Sequence, residues 1–217
     1  LDRNSVLRSL AAGLVLQGAL SVFLPEFRAA WAGQAYTDAE IRKVISTDEQ
    51  KIREIREQEI AQLKLTLSRR VPQERRADLY LRLAEIYIEA YRAEFLLEGR
   101  AHELRLEGKQ DEKFIDRSRS IPYLKAAISA CQEIVDFGVK FDRMDQVYYF
   151  LGYNYSELGD SQKAHEYYAR IIQKFPRSAF AVEAYKELGE VAFNGRDYRL
   201  AETYFENALA NAAQAPG

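Results

Sequence analysis

Cysteine is almost missing from this chain. Cys131 is the single one in 217 residues, so one chain forms no internal disulfide and no thiolate metal cluster. Only His102 and His165 stand beside it as soft ligands, too few for a protein-built zinc site; no metal and no cofactor is expected. Proline (5) and glycine (11) are sparse, which leaves long stretches free to be helical. Neither sign of charge prevails: 31 Lys and Arg against 33 Asp and Glu give a net charge of -2 and no bulk attraction to nucleic acid or anionic lipid. Catalytic motifs are lacking too, with no Gly-rich phosphate loop, no His-Glu-x-x-His and no Gly-x-Ser-x-Gly. His165 beside Glu166, and His102 among Arg100, Glu103 and Arg105, read as surface histidines. The Glu and Asp residues are spread over helix faces without a pair in opposed environments. No catalytic residue is assigned, and the chain is not expected to be an enzyme.

What is present is material for a helical core: 47% hydrophobic and 29% charged residues. The one long apolar run comes first. Arg3 and Arg8 precede Ser9 to Leu24, an uncharged stretch, and Ala30-Trp31-Ala32 places small residues before Gly33. This order predicts an export signal over residues 1–32, cleaved after Ala32. The alternative is an anchor that stays in the membrane, but the run falls short of the roughly 20 residues a span needs. The expected mature protein starts at Gly33, is exported and periplasmic or outer-envelope associated, and keeps no membrane span. No Cys follows the run, so a lipid-anchored start is not supported.

Residues 33–70 are charged and helical. Thr37-Asp-Ala-Glu40 is a capping box, and Thr47-Asp-Glu-Gln50 reads as a second one that interrupts the helix. Ile41, Ile45, Ile52, Ile55, Ile60, Leu63 and Leu67 form a stripe with an irregular step between Ile55 and Ile60. That step disfavours a heptad coiled coil and favours a helix packed on its neighbour, with Glu49, Arg53 and Glu57 as a solvated charge ladder. Val71-Pro72 ends this segment.

The remainder is periodic. Asp145 to Ser178 reads as two amphipathic helices, with Leu151-Gly152 and Tyr155 on the first, Ala164 and Tyr168 on the second, and Pro176 closing the unit. Gly152 and Ala164 are small, so the helices are expected to cross closely there. Gly159 ends the first helix and Asp160 caps the second. The same order returns as Tyr185, Leu188-Gly189, the Asn194-Gly195 turn, Asp197, Ala201 and Phe205, offset by 37 residues. Upstream, a long helix from about Glu74 to Leu106 carries Ala84 where Gly152 sits. A polar insert, Lys109 to Arg119, leads to a helix over roughly Ser120 to Phe137. Aligning Ala127 with Ala164 gives 37 once more and puts Cys131 at the buried aromatic position of Tyr168, a core site. The expected organisation is thus 1–32, 33–70, an irregular pair over 71–144, and regular pairs over 145–181 and 182–217. The last pair, with Tyr204, Phe205 and Leu209, is expected to leave an apolar face uncovered, as in an array that continues.

These residues, large-Leu-Gly-Tyr followed by Ala-aromatic-Pro, resemble the tetratricopeptide repeat (TPR). The linker Phe175-Pro176-Arg-Ser178 is similar to the longer repeats of bacterial cell-envelope TPR proteins. The segment order from RADLYLRLAE to DQVYYFLGYNYSELGD, within about residues 48–213, resembles exported deltaproteobacterial TPR proteins, some associated with gliding motility. The resemblance implies an all-α right-handed superhelix of antiparallel helix pairs whose first helices line a partner-binding groove. Carried onto this chain, the groove residues are Tyr149, Tyr153, Ser156 and Glu157, then Lys186, Glu190, Phe193 and Asn194, with Leu81, Glu85, Ile88 and Glu89 from the irregular pair. Tyr149 and Tyr153 equally fit packing against the preceding helix pair. TPRs that clamp a carboxylate terminus have Lys and Asn at two of these places; Tyr149 and Tyr153 stand there instead, so that activity is not implied. The implied function is a non-enzymatic scaffold for other proteins of the envelope, in a motility or envelope-assembly complex. The alternative is a homo-oligomeric coordinator like the Tol-Pal-associated TPR proteins, joined through an amino-terminal coil.

Overall fold

A computed structural model describes residues 38–107, 114–138 and 140–213; residues 1–32, read above as an expected export signal, lie outside them. The described residues form the helices α1 (Asp38–Leu67), α2 (Gln73–Glu107), α3 (Ile121–Asp136), α4 (Met144–Glu157), α5 (Ser161–Lys174), α6 (Ala179–Asn194) and α7 (Tyr198–Ala212). The chain divides into two units between Lys51 and Ile52, and the packing described below is that of the second.

Thr47-Asp-Glu-Gln50 does not interrupt α1, which runs through it. With no Pro or Gly there, the hydrogen-bond ladder continues at less cost than starting a new helix. Beyond Ile52 the stripe is only partly used. Ile60 and Leu67 are buried and Leu63 is packed against the core, whereas Ile52 and Ile55 are 54% and 64% exposed. Arg53 and Glu57 keep contact with solvent but also bond to neighbouring helices. Arg53 pairs with Glu94 of α2 at 2.6 Å, and Glu57 accepts from the Tyr123 hydroxyl of α3 at 2.8 Å. Arg82 adds a third tie, its Nε donating to Glu59 at 2.9 Å. Polar side chains thus reach across where the apolar stripe gives out.

From α2 onward the helices pair as α2/α3, α4/α5 and α6/α7; each pair packs on the next, and α4 also touches α6. The turns within the regular pairs explain why. At Gly159, φ is 81°, Asp160 N–H bonds to Tyr155 O at 2.9 Å and Gly159 N–H to Ser156 O at 2.9 Å. This is a Schellman stop, and Asp160 then caps α5 by accepting from Lys163 N–H at 3.1 Å. Stop and cap within three residues fold α5 back along α4. The next turn repeats it, with Asp197 accepting from Leu200 N–H at 3.1 Å. The left-handed residue there is Arg196 (φ 64°), not the glycine of Asn194-Gly195, because Gly195 keeps a right-handed φ of -74°. Between pairs, Ser178 caps α6 and donates to Asp145 at the start of α4, 2.5 Å away.

Gly152 does permit a close approach, but the group it admits is the Tyr168 ring rather than Ala164. A Cβ at residue 152 would lie 2.6 Å from Tyr168 Cε1, and one at Gly189 would lie 2.6 Å from Phe205 Cε1. In the irregular pair the corresponding residues are Ala84 and Cys131, both fully buried. The larger residue at the Gly152 position, Ala84, thus goes with a smaller one at the Tyr168 position, Cys131. Burial raises the Cys131 thiol far above its ordinary range, which makes it inert core. The described unit is therefore an all-α stack of antiparallel, TPR-like helix pairs.

The overrun of α2 has a purpose that the repeat pattern does not predict. Its added turns carry Glu94 and Glu98, 4% and 6% exposed. Glu94 is held between Arg53 and Arg119. Glu98 accepts the N–H groups of Arg119 and Ser120 at 2.7 and 3.0 Å, capping α3 from another helix because Ser120 makes no side-chain cap of its own. Arg117 lies over the rings of Tyr91 and Phe95 and donates to the last carbonyl of α4, Glu157 O, at 3.1 Å. The end of the polar insert is thereby fixed to both neighbouring pairs.

Candidate partner-binding groove

The contact between α4 and α6 puts first helices of successive pairs side by side. Tyr149 is half-buried at their junction. Its ring stacks on Phe180 of the next pair at 5.2 Å and tilts against Tyr168 at 6.2 Å. One face of Tyr149 therefore belongs to the packing between pairs. Burial, with Glu187 and Glu183 nearby, pushes its hydroxyl pKa up to about 12. Tyr153, one turn further, is half-buried under the Arg92 guanidinium, 5.3 Å from the ring centroid. Ser156 is exposed. Glu157 accepts from the Tyr91 hydroxyl and lies 3.8 Å from Arg117, so it belongs to the network that anchors the insert.

On α6, Lys186 is exposed and paired within its helix to Glu183 at 2.8 Å. Glu190, Phe193 and Asn194 are exposed, Phe193 by 56% with its ring edge-on to Tyr198 at 5.4 Å. On α2, Leu81 and Ile88 are core residues and unavailable to a partner. Glu85 binds Arg82 and Gln146, and Glu89 is exposed.

Residues that sequence reading passed over complete the surface. Glu187 is half-buried, with no hydrogen bond or ion pair among the described residues, and its carboxyl is raised above the ordinary range by burial, then by Glu190 and Glu183; Lys186 opposes the shift. The signal was legible: Glu183, Glu187 and Glu190 recur at helical spacing, so they share a face. Arg92 carries no such signal, because only the stack brings α2 and α4 together. A separate concavity of about 410 Å³ between α1, α2 and α3 is lined by Leu67, Tyr80, Tyr87 and Glu133 among others.

No protein-family model matches the chain, and no curated protein matches it. Among solved structures, the crystal structure of MamA is similar at a TM-score of 0.39 and 19% identity, covering 82% of this chain and 97% of that chain. At that score the likeness is too loose to carry family or function.

Proposed function

We propose that the chain is a non-enzymatic scaffold that binds partner proteins through the α4–α6 face, in an exported, envelope-associated setting. One observation carries the reading. A stacked, capped helical frame presents half-buried aromatics, Tyr149 and Tyr153, on the face that carries Glu187 and Glu190, carboxylates that form no ion pair among the described residues. Rigid aromatics bury area on binding at small entropic cost, and unpaired charge beside them supplies specificity. The setting follows from the apolar run ahead of Ala30-Trp31-Ala32 and from the likeness to envelope repeats, gliding-motility type included. Photo-crosslinking in the source cell tests the binding face. A photoreactive residue at Ser156 should give adducts of discrete mass, and one at His165 on the outer helix α5 should not. Equal labelling at both sites would remove the groove. Amino-terminal sequencing of the mature protein tests export: the expected start is Gly33, and an uncleaved membrane form would overturn it.

A second reading, the homo-oligomeric coordinator, is favoured by Ile52 and Ile55, exposed on α1 although apolar. Sedimentation decides it: a trimer supports that reading, and a monomer at micromolar concentration excludes it.

A further inference from the structure

Tyr168 is 2% exposed, and its hydroxyl meets no hydrogen-bond partner. Packing does not account for the oxygen. The same place in the next pair is Phe205, whose ring rests over Gly189 just as the Tyr168 ring rests over Gly152. Burial raises the Tyr168 hydroxyl far above its ordinary range, and Glu187, Tyr149, Tyr153 and Glu157 are, in that order, the groups that push it further. The ring lies against Gly152 of α4 and 6.2 Å from the Tyr149 ring, so the hydroxyl is enclosed in the packing beneath the α4–α6 face. A buried hydroxyl without a partner costs free energy, and so does a half-buried carboxylate beside two other carboxylates whose nearby Lys186 is bonded to Glu183.

The local charges define what is missing. Glu183 is matched by Lys186 at 2.8 Å and Glu157 lies beside Arg117 at 3.8 Å. Arg92 is spread over the Tyr153 ring. Among the described residues Glu187, half-buried, and Glu190, exposed, form no ion pair; Lys186, bonded to Glu183, only partly offsets the rise of the Glu187 carboxyl. A cation bordered by two tyrosine rings would pair the Glu187 carboxylate, and the carboxylate so held can accept the Tyr168 hydroxyl proton.

Resting on the groove reading above, we propose that the α4–α6 face receives a lysine or arginine side chain from a basic segment of a partner protein. Glu187 is the anion that holds the cationic head. Tyr149 and Tyr153 flank its methylene stem, Glu190 adds charge at the rim, and the Tyr168 hydroxyl donates to Glu187 in the bound state and fixes its carboxylate. Tyr168 is thus a positioning residue.

Fluorescence anisotropy with the full chain tests this, using labelled dodecapeptide pools randomised except for a central Lys, Arg, acetyl-lysine or Glu. The Lys and Arg pools should bind, and added salt should weaken them; the acetyl-lysine and Glu pools should not. Glu187→Gln should weaken the Lys pool about tenfold, the order of one charge-assisted contact. Tyr168→Phe should weaken it severalfold while leaving the melting temperature unchanged or higher, which a merely structural hydroxyl would not do. Glu166→Gln on the outer face should change nothing. Equal binding of the Lys and Glu pools, or no effect of Glu187→Gln, overturns the proposal. Failure of the Lys and Arg pools together with groove-specific crosslinking at Ser156 removes the basic-side-chain proposal and leaves the scaffold standing; failure of both removes both.

Discussion

Arg196 occupies the backbone position of Gly159, 37 residues further on, and holds the same left-handed conformation, φ 64° against 81°. The Asn194-Gly195 pair suggests a glycine at that corner, yet Gly195 sits one residue early with φ -74°. An L-residue in this region costs about 1–2 kcal/mol, and glycine gives back part of the gain as chain entropy. Arg196→Gly should therefore stabilise the protein by roughly 0.5–1 kcal/mol. Gly159→Ala should destabilise it by a similar amount. Urea midpoints of the two variants, moving in opposite directions, check the pairing of these turns.

The crossing of Gly152 and Tyr168 makes a second expectation. A Cβ at residue 152 meets Cε1, Cδ1 and Cζ of the ring at 2.6, 2.8 and 3.0 Å, so Gly152→Ala overpacks a buried aromatic that is hemmed in by Tyr149. The loss should be about 1–3 kcal/mol. Combining it with Tyr168→Leu should cost less than the sum of the single changes, because the smaller side chain yields the space. Strict additivity in a thermal-unfolding cycle would show that the two residues do not share this crossing.

Local rules made much of this fold legible in advance. The 37-residue offset located the pairs. Asp160, Asp197 and the proline after α5 located their turns, and the helix ends fall within a few residues of the expected ones. What sequence did not show is nonlocal. Glu94 and Glu98 look like surface charges on a helix, and only the return of the insert over α2 makes them buried partners of Arg119 and Ser120. For the same reason Leu81 and Ile88 were candidates for the groove: the repeat register names a face, while burial depends on how the irregular pair meets its neighbours.

Glu98 gives that nonlocal feature a test. It satisfies two N–H groups at the entrance to α3, and both would be left without an acceptor in Glu98→Ala. The expected loss is about 1–3 kcal/mol. Amide exchange should accelerate first at Arg119 and Ser120 and leave α7 unaffected. Uniform acceleration throughout the stack would instead mean that Glu98 acts on global packing.

Glu187 contributes a pH dependence to stability. Its carboxyl is raised by burial and by Glu190 and Glu183, so the folded chain holds that proton more tightly than the unfolded chain does. For a raised carboxyl the stabilising contribution is complete below the unfolded pKa and is lost as pH rises through the folded one. At neutral pH the ionised group therefore detracts from stability. Glu187→Gln should raise the melting temperature at pH 7, and the difference from the parent chain should shrink as pH falls to the ordinary carboxylate value of 4.5. A difference that persists unchanged into acid would mean the gain comes from something other than relief of charge.

Helix α7 should be the least protected part of the stack. Its buried residues are Ala201 and Ala208, both small, whereas α5 buries Ala164, Tyr167, Tyr168 and Ile171. Leu209 is 73% exposed and Tyr198 60%, so much of the large apolar surface on α7 is in water. Opening a helix exposes the area it had buried, and the local free energy of opening scales with that area. Amide exchange in dilute solution should accordingly be faster along Tyr198–Ala212 than along Ser161–Lys174. The α6 amides should lie between, since α6 buries Leu188 and three alanines and is held to α4 through Ser178 and Asp145. If α7 gained protection with rising concentration, the exposed Leu209 side would be covering itself with a second chain. If it matched α5 in a dilute monomer, the two alanines and the half-buried Tyr204 and Phe205 would suffice to hold the helix.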